Sequence, residues 1–227
     1  MSALLPQRLR SFTPSGLKND PRVRALALGA GLIPPRTMHA PAEAALLVEL
    51  ARVARRAVEI GVYEGSSAVA TVRALPPGAE LHLIDPFGHH PDALRAGAAA
   101  TAWATRRAVA RAARHRPDVH VVWHIERSED TAAGWNEPVD LVFVDGDHSE
   151  TGCELDWTLW HQHVAPGGRV VFHDARDGSA DGRGLPGPTA VVERTFRNGG
   201  PPPGWAIERE IASMVVVRRR RVHPLSG

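Results

Sequence analysis

Short apolar runs alternate along this chain with longer segments in which apolar residues recur at helical spacing. Five such runs predict buried strands, at residues 57–61, 81–85, 119–125, 139–145 and 169–174. Helical spacing predicts helices before and between them and after the last, at residues 41–55, 66–75, 91–115, 150–163 and 187–198. Strands that are apolar throughout and alternate with helices are typical of a parallel sheet covered on both faces. The pattern therefore predicts an α/β fold with a mostly parallel sheet.

The two ends of the chain carry different patterns. Residues 1–40 predict an extension with a short helix at 3–10, followed by segments rich in proline and glycine. Near the other end, residues 205–211 and 213–220 predict an antiparallel strand pair, and 221–227 form a tail. We therefore expect one domain over residues 41–220, with the extension serving as a substrate cap or an oligomer contact.

Two glycine- and proline-rich segments are predicted to lie outside the regular elements. The sequence PGG at 166–168 predicts a turn before the fifth strand. Residues 177–188 predict a flexible loop, either an active-site lid or a mobile surface loop.

Composition narrows the class of protein. The 227 residues are 43% hydrophobic with a formal charge of +2, which is ordinary for a globular protein. Cys153 is the single cysteine, so neither an internal disulfide nor a multi-cysteine metal site can form. The arginines at 218–221 are expected to be a solvated end of the chain, and aromatic residues are too scattered to favour a nucleic-acid partner. No apolar run approaches the roughly 18–20 residues of a membrane span, so we expect a cytoplasmic protein without a membrane partner.

Candidate ligand-binding residues follow the first two strands. Ligands of parallel α/β sheets bind beyond the carboxyl ends of the strands. Glu59, Gly61 and Gly65 form the pattern E-x-G-x-x-x-G between a strand and a helix, and Asp85 closes the second strand. An acid there typically accepts hydrogen bonds from the ribose hydroxyls of a nucleoside. Each feature alone also fits an ordinary tight turn, but together they predict a nucleoside cofactor.

The third strand is followed by Ser128, Glu129 and Asp130, which would lie near the adenine side of that cofactor. The alternative for at least one of them is helix capping, and Ser128 is a natural cap.

The fourth and fifth strands end in acids and histidines that would surround one cleft. These residues are Asp145, Asp147, His148, His173 and Asp174. Carboxylates bind hard divalent cations, whereas imidazole favours softer metals or acts as a proton acceptor. We expect Asp145 and Asp174 to be functional and Asp147 to make the turn. His148 is a general base or a cap, and His173 is a base, a ligand or a core residue.

Three segments together resemble a known family: VEIGVYEGSSA, LHLIDPFG and the stretch from VDLVFVDGDHSE to PGGRVVFHDA. They are similar to the class I S-adenosylmethionine-dependent methyltransferases, over about residues 41–220. Within that class the chain most resembles small-molecule O-methyltransferases with D-G-D-H after strand four, including macrolide-sugar and aminocoumarin-sugar enzymes. The resemblance implies a Rossmann-like sheet.

The resemblance also implies a role for individual residues. Its cofactor set has Glu59, Gly61 and Gly65 at the methionine end and ribose, Asp85 at the ribose hydroxyls, and Ser128 and Glu129 near the adenine. Ser66 and Asp145 complete the set. Asp145 and Asp174 would bind a divalent metal, with magnesium as the first candidate and manganese or another ion as the alternative. His173 stands where some relatives have a carboxylate. It is therefore either a third ligand or, in a metal-free site, a base like His148.

The expected function is O-methylation of a small metabolite, on a sugar or aromatic group in natural-product biosynthesis, by a homo-oligomer. One alternative is a non-catalytic, methyltransferase-like partner of a biosynthetic enzyme. The other is a nicotinamide-dependent oxidoreductase. That class predicts G-x-G-x-x-G, but Tyr63 and Ser66 occupy the second and third glycine positions.

Overall fold

The computed structural model describes residues 20–176 and 184–221. The strands are β1 (Arg56–Ile60), β2 (Glu80–Ile84), β3 (His120–His124), β4 (Val139–Val144), β5 (Val164–Phe172), β6 (Trp205–Ile211) and β7 (Met214–Arg219). The α-helices are α1 (Pro21–Ala30), α2 (Pro41–Ala51), α3 (Ser66–Ala74), α4 (Pro91–Ala96), α5 (Ala98–Ala113), α6 (Ser128–Ala133), α7 (Glu150–Trp160) and α8 (Pro186–Val192). A 3₁₀ turn at His161–His163 extends α7, and a π turn at Glu193–Arg197 extends α8.

The seven strands form one sheet in the order β3-β2-β1-β4-β5-β7-β6. The pairs among β1 to β5 are parallel, whereas β7 is antiparallel to both β5 and β6. The predicted α/β class, the mostly parallel sheet and the C-terminal antiparallel pair are confirmed.

The continuous apolar strands follow from burial on both faces of the sheet. Successive residues of a strand point to opposite faces. In β4, Leu141 and Phe143 pack into one core, while Val142 and Val144 pack into the other. Both faces of β4 are therefore buried, and an apolar residue is favoured at each position from 141 to 144.

Two local predictions, one of a turn and one of a single long helix, were wrong. The predicted turn at 166–168 lies inside β5, where the pairing moves from Val139–Val164 to Leu141–Arg169, so the glycines bulge out without ending the strand. The single helix predicted at 91–115 is two helices, α4 and α5, which meet at Gly97 with φ +85°.

The N-terminal extension contains a helix that the sequence pattern did not predict. Asp20 caps α1 by accepting a hydrogen bond from the Arg22 amide at 2.7 Å, and α1 packs against α5. The helix predicted at 3–10 and most of the predicted loop at 177–188 lie outside the described residues. Within the described part, none of the helices combines the length and apolar character that crossing a membrane requires.

Candidate active site

Four neighbouring strands bring most of the predicted site residues to one edge of the sheet. β1 lies between β2 and β4, and β5 lies beside β4. Gly61, Asp85, Asp145 and His173 each follow directly after one of these strands. Residues that are widely separated in sequence therefore border a single cleft at the carboxyl ends.

Gly61 allows the loop after β1 to lie against the end of β4. Its φ is +85°, and a Cβ atom there would lie 2.2 Å from the Asp145 carbonyl oxygen and 2.6 Å from the Gly146 Cα. No other residue fits without moving the backbone. Gly65 also has a positive φ, +81°, and is the N-cap residue of α3. The loop therefore runs from the end of β1, against the end of β4, to the start of α3.

Asp85 holds the same loop from the neighbouring strand. Its Oδ2 accepts hydrogen bonds from the Val62 and Tyr63 amides at 2.8 and 2.9 Å, and its Oδ1 accepts one from the Phe87 amide. A carboxylate has about four acceptor positions, so Oδ1 retains capacity for a ligand hydroxyl.

Glu59 lies beneath the loop and is 2% exposed. The Ser67 hydroxyl donates a hydrogen bond to its carboxyl group at 2.6 Å. Burial raises the pKa of Glu59 to about 8, so the carboxyl group is mostly protonated at neutral pH. Its predicted contact with the methionine end of a cofactor stays a prediction, and an approaching ammonium group would favour its ionised form.

The raised pKa of Glu59 predicts a pH-dependent stability. The folded protein retains a proton that the unfolded chain loses between about pH 4.5 and 8, so the free energy of unfolding should fall through this window. Glu59→Gln keeps an acceptor for Ser67 but does not titrate. Urea unfolding measures the free energy of unfolding at each pH. Between pH 5 and pH 8 this free energy should fall by on the order of 3 kcal/mol more in the wild type than in Glu59→Gln. If the free energies of unfolding of the variant and the wild type differed by the same amount at both pH values, Glu59 would not be a buried neutral acid.

Ser128 does not cap a helix, contrary to one interpretation of the sequence. It is the first residue of α6, whose N-cap is Arg127 without a side-chain capping bond. The buried Ser128 hydroxyl accepts a hydrogen bond from the Trp160 indole at 2.8 Å. Glu129 forms an ion pair with Arg127 at 2.5 Å, and Asp130 is exposed. The proposed place of Ser128 and Glu129 near adenine stays a prediction.

The end of β4 makes the predicted turn. The Asp147 carboxylate accepts a hydrogen bond from the Ser149 amide at 2.8 Å, and Ser149 caps α7 through the Gly152 amide. Asp147 therefore shapes the turn, as predicted, while Asp145 and His148 on either side of it face the cleft.

Asp145 is the centre of a cluster of imidazoles. Its Oδ1 lies 2.9 Å from His173 Nδ1 and 3.3 Å from His148 Nε2, and its Oδ2 lies 3.3 Å from His39 Nε2. Asp174 Oδ2 is 3.4 Å from His173 Nδ1 and 3.7 Å from His148 Nε2. Burial opposes ionisation of Asp145, but hydrogen bonds to the three histidines hold its pKa well below the usual range.

His173 lies between two carboxylates. Its Nδ1 faces Asp145, and its Nε2 lies 3.5 Å from Glu43 Oε2. Burial lowers its pKa, but the two carboxylates outweigh burial and raise it to about 10. A proton held this firmly does not suit the role of general base at neutral pH that the sequence left open for His173.

His148 fits that role better because its side chain is 37% exposed, whereas that of His173 is 5% exposed. The hydrogen bond to Asp145 raises its pKa above the usual value. The imidazole is therefore accessible to an acceptor, and it is a stronger base than a free histidine.

Two residues of the cluster, His39 and Glu43, were missed by the sequence analysis. Glu43 is 1% exposed and accepts hydrogen bonds from the Ser213 amide and hydroxyl and from the Ala40 amide. One signal was present, since Glu43 is a charged residue on an otherwise apolar helical face. The sequence around His39 gives no comparable indication, because His39 and Asp145 are far apart in the chain and only the folded structure brings them into contact.

The donor set fits a divalent metal ion. One atom each of Asp145, His148, His173 and Asp174 lies within 4.8 Å of the other three. Ligands bound at about 2.1 Å in a tetrahedral or octahedral arrangement lie about 3.0–3.4 Å apart, close to the spacings of 2.9–3.7 Å found here. The cluster can thus hold an ion, move a proton through an imidazole, or do both.

The chain is similar to known proteins both in sequence and in fold. A family model described as a methyltransferase domain matches residues 58–175, slightly more than half of the chain. Two solved O-methyltransferases are similar in fold. TomG from Streptomyces achromogenes, involved in tomaymycin synthesis and solved with S-adenosylmethionine, has a TM-score of 0.52 and 21% identity over 94% of each chain. The Bacillus cereus enzyme, solved with S-adenosylhomocysteine, has a TM-score of 0.53 and 15% identity over 94% of this chain and 96% of that one.

A methyltransferase from Geobacter sulfurreducens also shares the fold, with a TM-score of 0.54 and 17% identity over 97% of this chain and 99% of that one. The chain therefore belongs to the methyltransferase-domain family, as its motifs predicted, and has the fold of the class I S-adenosylmethionine-dependent methyltransferases.

Proposed function

We propose that this protein is an S-adenosylmethionine-dependent O-methyltransferase that acts on a hydroxyl group of a small metabolite. The acceptor would be a sugar or an aromatic group of a natural product. The single observation that carries the proposal is the placement of two sites at one sheet edge. The loop at Gly61 and the acid Asp85 border the cleft on one side, and the acid and histidine cluster around Asp145 borders it on the other.

The cofactor would occupy the side formed by β1 and β2. Asp85 would accept hydrogen bonds from the ribose hydroxyls, while Gly61, Gly65 and Ser66 allow close approach to the backbone at the start of α3. TomG and the Bacillus cereus enzyme, which share this fold, were solved with S-adenosylmethionine and S-adenosylhomocysteine, and this supports the choice of cofactor. The sulfonium supplies the methyl group when the cofactor is bound.

The acceptor would bind against the cluster. Asp145, His173 and Asp174 would hold a divalent ion, which supplies orientation and acidification of the acceptor hydroxyl. His148 would take the hydroxyl proton, and Asp145 would stabilise the resulting imidazolium at 3.3 Å. His39 contacts the other oxygen of Asp145 and would keep that carboxylate oriented. Alignment of hydroxyl, methyl and sulfur supplies much of the rate in such a displacement.

Asp85→Asn tests the cofactor part of the proposal. The variant should bind S-adenosylhomocysteine about 10- to 100-fold more weakly in calorimetry, because charge-assisted hydrogen bonds to the ribose are lost. Asp118→Asn is the matched control: Asp118 is a partly exposed acid paired with Arg116 before β3, so affinity should not change. Equal affinity of the Asp85 variant and the wild type would remove the assigned role.

The acceptor part needs a transfer experiment. Cofactor with a labelled methyl group should transfer its label to oxygen on a panel of hydroxylated sugars and phenols. Transfer only to amines or thiols would contradict O-methylation, and binding of the cofactor without any transfer would favour a non-catalytic partner.

A further inference from the structure

His173 is held at both ring nitrogens inside the protein. Its side chain is 5% exposed, with Nδ1 facing Asp145 and Asp174 and Nε2 facing Glu43. Glu43 comes from α2, outside the strand-end cluster, and is itself almost fully buried. The orientation of this imidazole is therefore set by a residue that would not touch substrate or cofactor.

Glu43 is fixed in turn by its own partners. Its Oε1 accepts the Ser213 amide at 2.8 Å and the Ser213 hydroxyl at 2.6 Å, and its Oε2 accepts the Ala40 amide at 2.8 Å. A carboxylate can only accept from a ring nitrogen, so both nitrogens of His173 carry hydrogen while no ion is bound. When an ion displaces the hydrogen on Nδ1, Glu43 would keep the hydrogen on Nε2, and the Nδ1 lone pair would face the ion held by Asp145 and Asp174.

This arrangement matches the usual surroundings of a metal-bound histidine. Histidine ligands commonly donate their other ring N–H to a carboxylate, which fixes the tautomer and raises the basicity of the ligand. His173 meets this condition through Glu43. Within the described residues, His148 has no carboxylate bonded to its other nitrogen and is far more exposed, which leaves it free for proton transfer.

Building on the proposed function, we infer that the cluster selects a divalent transition metal such as Mn2+, Fe2+, Co2+ or Zn2+ over Mg2+. The ligands are Asp145, His173 through Nδ1, and Asp174, and Glu43 is the positioning residue for His173. Imidazole nitrogen binds these ions well, whereas Mg2+ prefers a shell of oxygen ligands and water. The histidine at position 173 thus determines which ion is bound.

Calorimetry on chelator-treated full-length protein measures the affinity for Mn2+ and, in a separate titration, the affinity for Mg2+. The wild type should bind Mn2+ about 100-fold more tightly than Mg2+. In His173→Asp, which makes all three ligands carboxylates, this ratio should fall at least about tenfold. Mn2+ bound to the wild type should show nitrogen coupling in pulsed electron paramagnetic resonance, and the His173 variant should lose it.

Glu43→Gln tests the positioning role, with Glu49→Gln as the control on the same helix, because Glu49 is exposed and pairs with Arg209. The Glu43 variant should bind Mn2+ about 10- to 100-fold more weakly, with reduced nitrogen coupling, and the control should match the wild type. Binding of S-adenosylhomocysteine should be unchanged in both, which shows that the variant is folded.

Equal affinity of the wild type for Mn2+ and Mg2+, or an absence of nitrogen coupling, would overturn the inference. So would unchanged Mn2+ affinity in Glu43→Gln. If the Glu43 variant fails to fold, the ratio of Mn2+ to Mg2+ affinity, measured in the wild type and in His173→Asp, still tests the inference. Failure of the proposed function has a different signature, because the wild type would then not bind S-adenosylhomocysteine while metal binding could persist.

Discussion

The Asp145→Asn variant should lose about 1,000-fold or more in kcat/KM for methyl transfer, while its affinity for S-adenosylhomocysteine changes less than about threefold. Asp145 contacts His39, His148 and His173 at once, so its negative charge supports every imidazole of the cluster. A neutral amide neither binds a cation well nor stabilises an imidazolium. Steady-state kinetics and calorimetry on the same preparation measure the two effects.

Asp147→Asn provides the control two residues away. Asp147 accepts the Ser149 amide in the turn, and an asparagine oxygen can replace that contact. Its kcat/KM should stay within about threefold of the wild type. Full activity of the Asp145 variant, or an equal loss in both variants, would contradict the special role of Asp145.

Gly61→Ala should destabilise the protein by about 4 kcal/mol or more, or prevent recovery of folded protein. The φ of +85° is strained for alanine, and the added Cβ would lie 2.2 Å from the Asp145 carbonyl oxygen. The backbones of β1 and β4 would have to separate, which would also displace Asp145 from the cofactor loop. Urea unfolding and soluble yield measure the effect.

Gly78→Ala is the control that separates two destabilising effects of an added Cβ: the strain of a positive φ and the close contact with neighbouring backbone atoms. Gly78 has a similar φ of +77°, but a Cβ there meets no atom within 4 Å. This variant should therefore lose only about 1 kcal/mol. If the two variants lost the same stability, the contact between Gly61 and Asp145 would not be what requires glycine.

The central strand β4 was predictable because it is buried on both faces. Val142 and Phe143 face opposite cores, so the run from Leu141 to Val144 shows no polar interruption. Local turn residues were less informative. Gly97 divides a helix as a glycine can, but the glycines at 167 and 168 bulge from β5, because pairing with β4 continues on both sides of them.

The sequence predicted those residues of the site that closely follow a strand of the parallel sheet. Asp85, Asp145 and Asp174 lie at the ligand edge because parallel strands end there. His39 and Glu43 come from the segment before β1, and the contact between His39 and Asp145 spans 106 positions. A single sequence gives no information on which distant segment packs over a strand end, so these two partners required the structure.

The structure also changed the interpretation of His173. The sequence left it as a base, a ligand or a core residue. Asp145 and Glu43 face its two nitrogens, so neither nitrogen is open to an acceptor hydroxyl, and we therefore propose His148 as the base and His173 as a ligand.

A crystal structure of the complex with S-adenosylhomocysteine and Mn2+ tests the central claim most directly. We predict the ribose hydroxyls within hydrogen-bonding distance of Asp85, the sulfur directed toward His148, and the ion bound by Asp145, His173 and Asp174. Cofactor bound away from Asp85, or an ion bound away from this cluster, would contradict the account.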